Sequence, residues 1–312
     1  MPRLLLIAAV LAWSAPASAQ FAARGNAVSD CYAGSGSPRE DVATCSLALI
    51  LPPDSVTHAT LLGRRARAFG LLGELEPARR DLEAAIVKFP LSAEAYRQLG
   101  TIRSRLGDAP GSEQAFARAL ALNPRYSETF RDRGAARLYA GRLVEAERDL
   151  TAALAGAPDD PEALAFHGLV LFATARYREA VERLDRCEWL GYPYEYLALW
   201  RALARVRSGM DAREVLQQAS AAFSPGEWPG PLVLAYLDSG RAPDAVSAAP
   251  PGKRAEASFY LAIWALSGER RAGMVPSDAR QRARAALQQV ASMGHRHSVE
   301  VMMAGIELGR MR

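Results

Sequence analysis

Between Ala66 and Cys187 of this 312-residue chain, side chains of the same kind return at a fixed step of 34 positions. Pro90, Pro124 and Pro158 keep that step, as do Gly73, Gly107 and Gly141. Small residues keep it at Ala66, Gly100, Gly134 and Gly168, at Ala78, Ser112, Ala146 and Ala180, and at Ala85, Ala119, Ala153 and Cys187. Large ones keep it at Leu82, Phe116, Leu150 and Leu184. A period of this length belongs to chains that stack one supersecondary unit on the next, each burying its apolar face on its neighbours. Within a unit, a first helix carries a large residue and then a small one four positions on, as in Tyr96 and Gly100 or Phe130 and Gly134. The small position predicts close approach of a second helix. Glycine at 73, 107 and 141 predicts a left-handed turn between the helices, and proline stops the second helix.

The step and its small-large pattern resemble the tetratricopeptide repeat. That resemblance implies an all-α fold, a right-handed α-solenoid of helix-turn-helix units. Four regular repeats are expected over 57–194, starting at Ala59, Ala93, Ser127 and Pro161, after a degenerate N-terminal repeat or cap over 20–56. In that cap a helix ends near Tyr32, and a second runs from Glu40 to Leu51, where Pro52 and Pro53 stop it. Beyond Cys187 the register loosens. Residues 195–312 read as degenerate helices from apolar spacing: Tyr196–Ser208, Ala212–Phe223, Leu232–Ser239, Pro243–Ala248, Ala255–Ser267, Ser277–Met293 and a closing helix Ser298–Leu308.

Residues 1–19 read as a secretory signal peptide: Arg3, an apolar stretch from Leu4 to Trp13, and Ala17-Ser18-Ala19 before Gln20. An uncleaved anchor is the alternative. No later run has membrane length, so stable membrane insertion is not expected, and export predicts a periplasmic protein. The net charge of +4 drops by one with Arg3 and lies in no single stripe, which argues against nucleic acid as a partner. In an oxidising compartment Cys31 and Cys45 could form a disulfide around the Gly34-Ser35-Gly36-Ser37-Pro38 turn. Cys187 takes a register otherwise held by alanine and reads as a small core residue, with a reactive thiol or metal ligand as the alternative.

Outside the repeats, Tyr196-Leu197-Ala198-Leu199-Trp200, Arg213-Glu214-Val215-Leu216, Trp228, Tyr236-Leu237, Ser258 to Ala262 and Ser298-Val299-Glu300 resemble the NlpI lipoprotein family. These are periplasmic tetratricopeptide adaptors. The resemblance implies no enzymatic activity and docking of cell-envelope proteins such as cell-wall endopeptidases or a tail-specific protease, often by a homodimer. The chain lacks a cysteine at the cleavage site, so lipid anchorage does not carry over.

No catalytic constellation, cofactor motif or metal site stands out. His295 and His297 lack further ligands and read as a solvated turn, His167 as a packing residue, and Asp159-Asp160 as a capping pair and not a calcium loop. Function is expected on the inner wall, where the repeat resemblance places Arg67 and Leu71; Arg97, Thr101, Ser104 and Arg105; Arg131, Leu138 and Tyr139; Leu169 and Phe172. Arg97 and Arg131 hold equivalent positions and are expected to neighbour each other. Such a row suits an acidic segment or terminal carboxylate, or else the arginines pair with Glu94, Glu128 or Asp132 on the same wall. The aromatics Trp189, Tyr192, Tyr194, Tyr196 and Trp200 are either a partner hot spot or core filling at an irregular junction. A second function of another class, binding of a small ligand or glycan by this aromatic-rich C-terminal half, remains open.

Overall fold

The computed structural model describes residues 26–50, 54–193, 195–224, 226–272, 277–293 and 298–312. The expected signal peptide over 1–19, Pro52, Pro53, Tyr194, His295 and His297 lie outside them. The described residues form helices and turns, with no strand among them. After a helical stretch over 26–33 come α1 (Pro38–Ala48), α2 (Ser55–Leu71), α3 (Leu75–Lys88), α4 (Ala93–Arg105), α5 (Ala109–Leu122), α6 (Ser127–Tyr139), α7 (Leu143–Gly156), α8 (Pro161–Ala173) and α9 (Tyr177–Trp189). Then follow α10 (Leu197–Arg207), α11 (Arg213–Ala222), α12 (Gly230–Leu237), α13 (Ala242–Ala248), α14 (Arg254–Ala272), α15 (Ser277–Ala291) and α16 (Val299–Arg310). The chain divides into two compact units, the first ending at Arg125 and the second starting at Tyr126, which is a boundary between repeats.

Each structural sign read from the period has a visible cause. Gly73, Gly107 and Gly141 have φ of +77°, +83° and +72°. At each, the turn closes with paired backbone bonds, as where Gly141 N–H donates to Leu138 O at 2.9 Å and Arg142 N–H to Arg137 O at 2.9 Å. Phe89, Asn123 and Ala157, each preceding a proline, have φ of −140°, −139° and −140° and end α3, α5 and α7. Asp54, Ser92, Asp108 and Asp160 cap the following helices with their side chains. Arg65 grips Asp81 with two hydrogen bonds of 2.7 and 2.8 Å, and Arg133 grips Asp149 two repeats later with two of 2.8 Å.

The small-large pairing is direct contact. A Cβ on Gly100 would lie 2.8 Å from the buried Phe116 ring, on Gly134 2.8 Å from Leu150, and on Gly168 2.7 Å from Leu184. Gly100→Ala is expected to destabilise the first unit by about 1–3 kcal/mol through overpacking, despite alanine's better helix propensity. Gly63→Ala, with open space around it, should be neutral or gain up to about 1 kcal/mol. Urea denaturation of the two variants tests the contrast.

The fourth repeat carries Ala175 where its predecessors have glycine, and its φ is +64°, the left-handed region an alanine enters only under strain. The turn still closes, Arg176 N–H donating to Leu171 O at 2.8 Å. Ala175→Gly should therefore raise stability by up to about 1 kcal/mol, the relieved strain exceeding the added chain entropy. A higher urea midpoint with an unchanged slope would show it.

Past α9 the structure holds more repeat than the loosened register suggested. Gly209 continues the 34-residue step from Ala175 and has φ of +84°. Ala212, just before α11, and Leu216 and Ala219 on it are buried with the spacing of Ala180, Leu184 and Cys187 on α9. Helices α10 and α11 thus form a fifth pair in which the segment after the glycine is two residues shorter. The aromatics here mostly fill the core: Trp200 is fully buried, with Phe172 edge-on at 5.2 Å and Tyr260 at 5.6 Å. Trp189 differs, exposed and covered by the Arg186 guanidinium at 4.2 Å. His167 is buried, and desolvation pushes its pKa down to about 4, so it packs as a neutral ring at neutral pH.

At the C-terminus, α16 is tied into the second unit by Arg207, whose side chain is 1% exposed. Its guanidinium donates to Ser267 Oγ at 2.6 Å, to Tyr177 Oη at 3.3 Å and to Glu307 at 3.0 Å. Arg310 also pairs with Glu307 and donates to Ala173 O at 2.6 Å.

Candidate functional site

In the first unit, α2 and α4 line an open cavity of about 660 Å³ whose far wall is the cap. Cys31 and Cys45 form a disulfide in that wall, with a Cα–Cα distance of 4.8 Å. Ala59, Gly63 and Ala95 leave the floor shallow, while Arg67, Glu94 and Gln98 supply its polar groups. Arg67 is exposed and makes no hydrogen bond or ion pair among the described residues. Arg97 is different: its guanidinium lies on Glu94 at 2.6 and 2.8 Å, one turn back on the same helix. Thr101 is half-buried, its hydroxyl donating to Arg97 O at 3.3 Å.

In the second unit, a cleft of about 470 Å³ opens beside α8. Tyr139 from α6 and Phe166 from α8 meet edge to face at 6.1 Å on one side. The α9–α10 connection brings Tyr192 and Tyr196, the start of α14 brings Lys253 and Glu256, and the start of α16 brings Ser298 and Glu300. Tyr196 Oη accepts from Trp228 Nε1 at 2.7 Å and from Lys253 Nζ at 3.1 Å. The Glu300 carboxylate accepts from Tyr260 Oη at 2.9 Å and from Ser298 Oγ at 2.6 Å. Burial, aided by the charge of Glu300, holds the Glu256 carboxyl above its ordinary pKa, against the hydrogen bonds it receives from Tyr196 and Lys253.

Arg131 stands behind this cleft, paired with Asp132 at 2.9 Å, Asp160 at 3.1 Å and Glu162 at 3.4 Å. Burial disfavours its charge, yet these carboxylates hold its pKa above the usual value. Asp160 serves twice, since its other oxygen caps α8 at 3.0 Å. The two arginines of the proposed row thus sit in different units, each engaged by carboxylates of its own wall. Leu138 and Phe172, expected to face a partner, are instead completely buried. Phe172 packs against Tyr177 of its own pair at 5.3 Å and against Trp200 of the next at 5.2 Å. Tyr139, one residue after Leu138, does line the cleft. The sequence reading named none of Lys253, Glu256 or Glu300 as site residues, because they reach the cleft only through folding of segments about a hundred residues downstream.

Paired helices in both units, each with an open side cavity, define a fold of helical-repeat class, and comparison with solved structures makes the class specific. A tetratricopeptide repeat protein of Parabacteroides merdae superposes with a TM-score of 0.53 at 19% identity, covering 80% of this chain and 98% of its own. The fold is therefore the tetratricopeptide repeat fold. PilF of Pseudomonas aeruginosa also aligns, at 15% identity over 81% of this chain and 99% of its own, with a TM-score of 0.47. Among curated proteins, FlbA of Caulobacter vibrioides is 34% identical over 136 residues, 43% of this chain. The chain spans only 22% of the length of that relative. No protein-family model matches the sequence. Among the described residues no helix is long and apolar enough to cross a membrane.

Proposed function

We propose that the chain is a non-catalytic adaptor of the bacterial periplasm, exported by its first 19 residues, that binds cell-envelope proteins through the inner walls of its repeats. The observation that carries this reading is that the first helices of both units line open cavities, about 660 and 470 Å³, in which aromatic rings and charged side chains stand together. Such walls suit an extended segment of another protein. The Cys31–Cys45 disulfide supports export, because disulfides persist in oxidising compartments. On this reading 20–56 is a cap, 57–194 the regular array and 195–312 its variant continuation. The likeness to NlpI-type adaptors points to cell-wall hydrolases or proteases as partners, and to a homodimer.

Affinity capture from envelope extracts with mass-spectrometric identification tests the proposal. A defined envelope protein should be recovered by the wild type and lost with Arg67→Glu, a substitution at an exposed and unpaired position that leaves the melting temperature unchanged. Recovery unaffected by Arg67→Glu overturns the first-unit wall as the docking surface. Saturable binding of purified wall fragments, with no protein recovered, would replace the adaptor with a glycan-binding module.

A further inference from the structure

We propose that the cleft of the second unit is a receptor for a basic side chain, the ammonium of lysine or guanidinium of arginine, presented by a protein partner. This rests on the adaptor reading and adds the chemistry of what one wall takes. It reverses the sign expected from Arg131 alone.

The argument starts from charge. Among the described residues, Glu162, Glu256 and Glu300 line the cleft with Lys253 as the one cation. Arg131 adds a second cation behind the wall, but Asp132 and Asp160 already face it besides Glu162. Lys253 in turn is shared between Glu256 at 3.1 Å and Glu195 at 3.7 Å. Glu300 accepts only from the hydroxyls of Tyr260 and Ser298, and no ion pair reaches it among the described residues. Among the described residues the cleft therefore holds more negative charge than its cations neutralise. The Glu256 carboxyl feels that surplus, since after burial it is the charge of Glu300 that raises its pKa. A cation entering between Glu256 and Glu300 relieves it, and the carboxylates stay where they are because Tyr260, Ser298 and Lys253 already hold them.

The second part of the argument is shape. Tyr139, Phe166 and Tyr192 border the cleft with ring surface, which covers the methylene stem of lysine or arginine and attracts its charged end. Phosphate and carboxylate ligands meet the opposite field and are excluded. A basic side chain on an extended segment satisfies both the rings and the carboxylates.

The probe is N-acetyl-Ala-Lys-Ala-amide, with its arginine and glutamate counterparts, added to the full mature chain. The reporter is the indole N–H resonance of Trp228, which is bonded to Tyr196 in the cleft wall. The lysine and arginine peptides should shift it saturably, with affinity near the millimolar range of a single-residue contact. The glutamate peptide should leave it unmoved. Glu300→Gln, which retains an acceptor for Tyr260, should weaken the lysine peptide about tenfold, the worth of one charge-assisted hydrogen bond. Lys253→Met, which removes the competing ammonium, should strengthen it. No saturable shift, an equal response to the glutamate peptide, or unchanged affinity in both variants overturns the proposal. Should Glu300→Gln fail to fold, Lys253→Met decides alone. A silent cleft together with successful capture of an envelope protein refutes this inference and leaves the adaptor reading intact. A responsive cleft without capture refutes the envelope-protein partner and leaves only the preference of the cleft for a basic side chain.

Discussion

Replacing Arg207 by methionine is expected to cost the second unit about 3–5 kcal/mol, the largest single-residue effect foreseen for this chain. The guanidinium is 1% exposed and its partner Glu307 3%. Removing one member leaves a carboxylate out of water with part of its charge uncompensated, and Ser267 and Tyr177 each lose a partner. Arg310 still pairs with Glu307, so the loss should fall in the lower half of that range. The double variant Arg207→Met/Glu307→Gln should recover much of the loss, because the buried carboxylate is then gone and Arg310, 20% exposed, keeps water and Ala173 O as partners. Urea unfolding followed by tryptophan fluorescence reports this unit through Trp200, fully buried beside Phe172. A loss below about 1 kcal/mol would mean that water reaches the pair.

The second large effect belongs to the cap. Cys31→Ser/Cys45→Ser should lower the stability of the first unit by about 3 kcal/mol, since the bridge closes a loop with a sequence separation of 14. The apolar group around it is small, Ala27, Ala48 and Leu61 being its buried neighbours, and the other ties are polar, Arg64 donating to Tyr32 O at 2.6 Å and Arg65 to Ser46 Oγ at 3.1 Å. Thiol counting gives a separate check. Cys187 is buried and its pKa is pushed up to about 12 by desolvation and the nearby Glu188 charge, so it should resist thiol reagents in the native protein. Denaturation without reductant should expose one thiol, and denaturation with reductant three. Three thiols without reductant would exclude the bridge.

Where the sequence was legible, the reason was local. Helix ends depend on neighbours a few residues away, so Gly107 and Pro124 declare their turns in any context, and the contact of Gly100 with Phe116 is encoded by repetition. Apolar spacing predicts both helices of the fifth pair, but their repeat register is hidden because the step from Cys187 to Ala219 is 32 residues and a step of 34 lands on Ala221, which is exposed. Following Gly209 alone would have found it, since that residue keeps the step. The site was less legible for a different reason. For Arg97 and Arg131 the sequence leaves two outcomes open, partner binding or pairing on their own wall, and the pairing with Glu94 and Asp132 is what forms. Arg131 meets Asp160 and Glu162 a whole repeat later, and Glu300 reaches the same cleft from near the end of the chain. Charge compensation is a property of the folded wall, and one helix read alone does not reveal its sign.

The anchoring of α16 has a practical corollary for anyone engineering this protein. Glu307 and Arg310 lie in the last two turns of α16, so a truncation that cuts into this helix deletes the counter-ion of an interior cation. Any boundary drawn for expression should leave α16 whole.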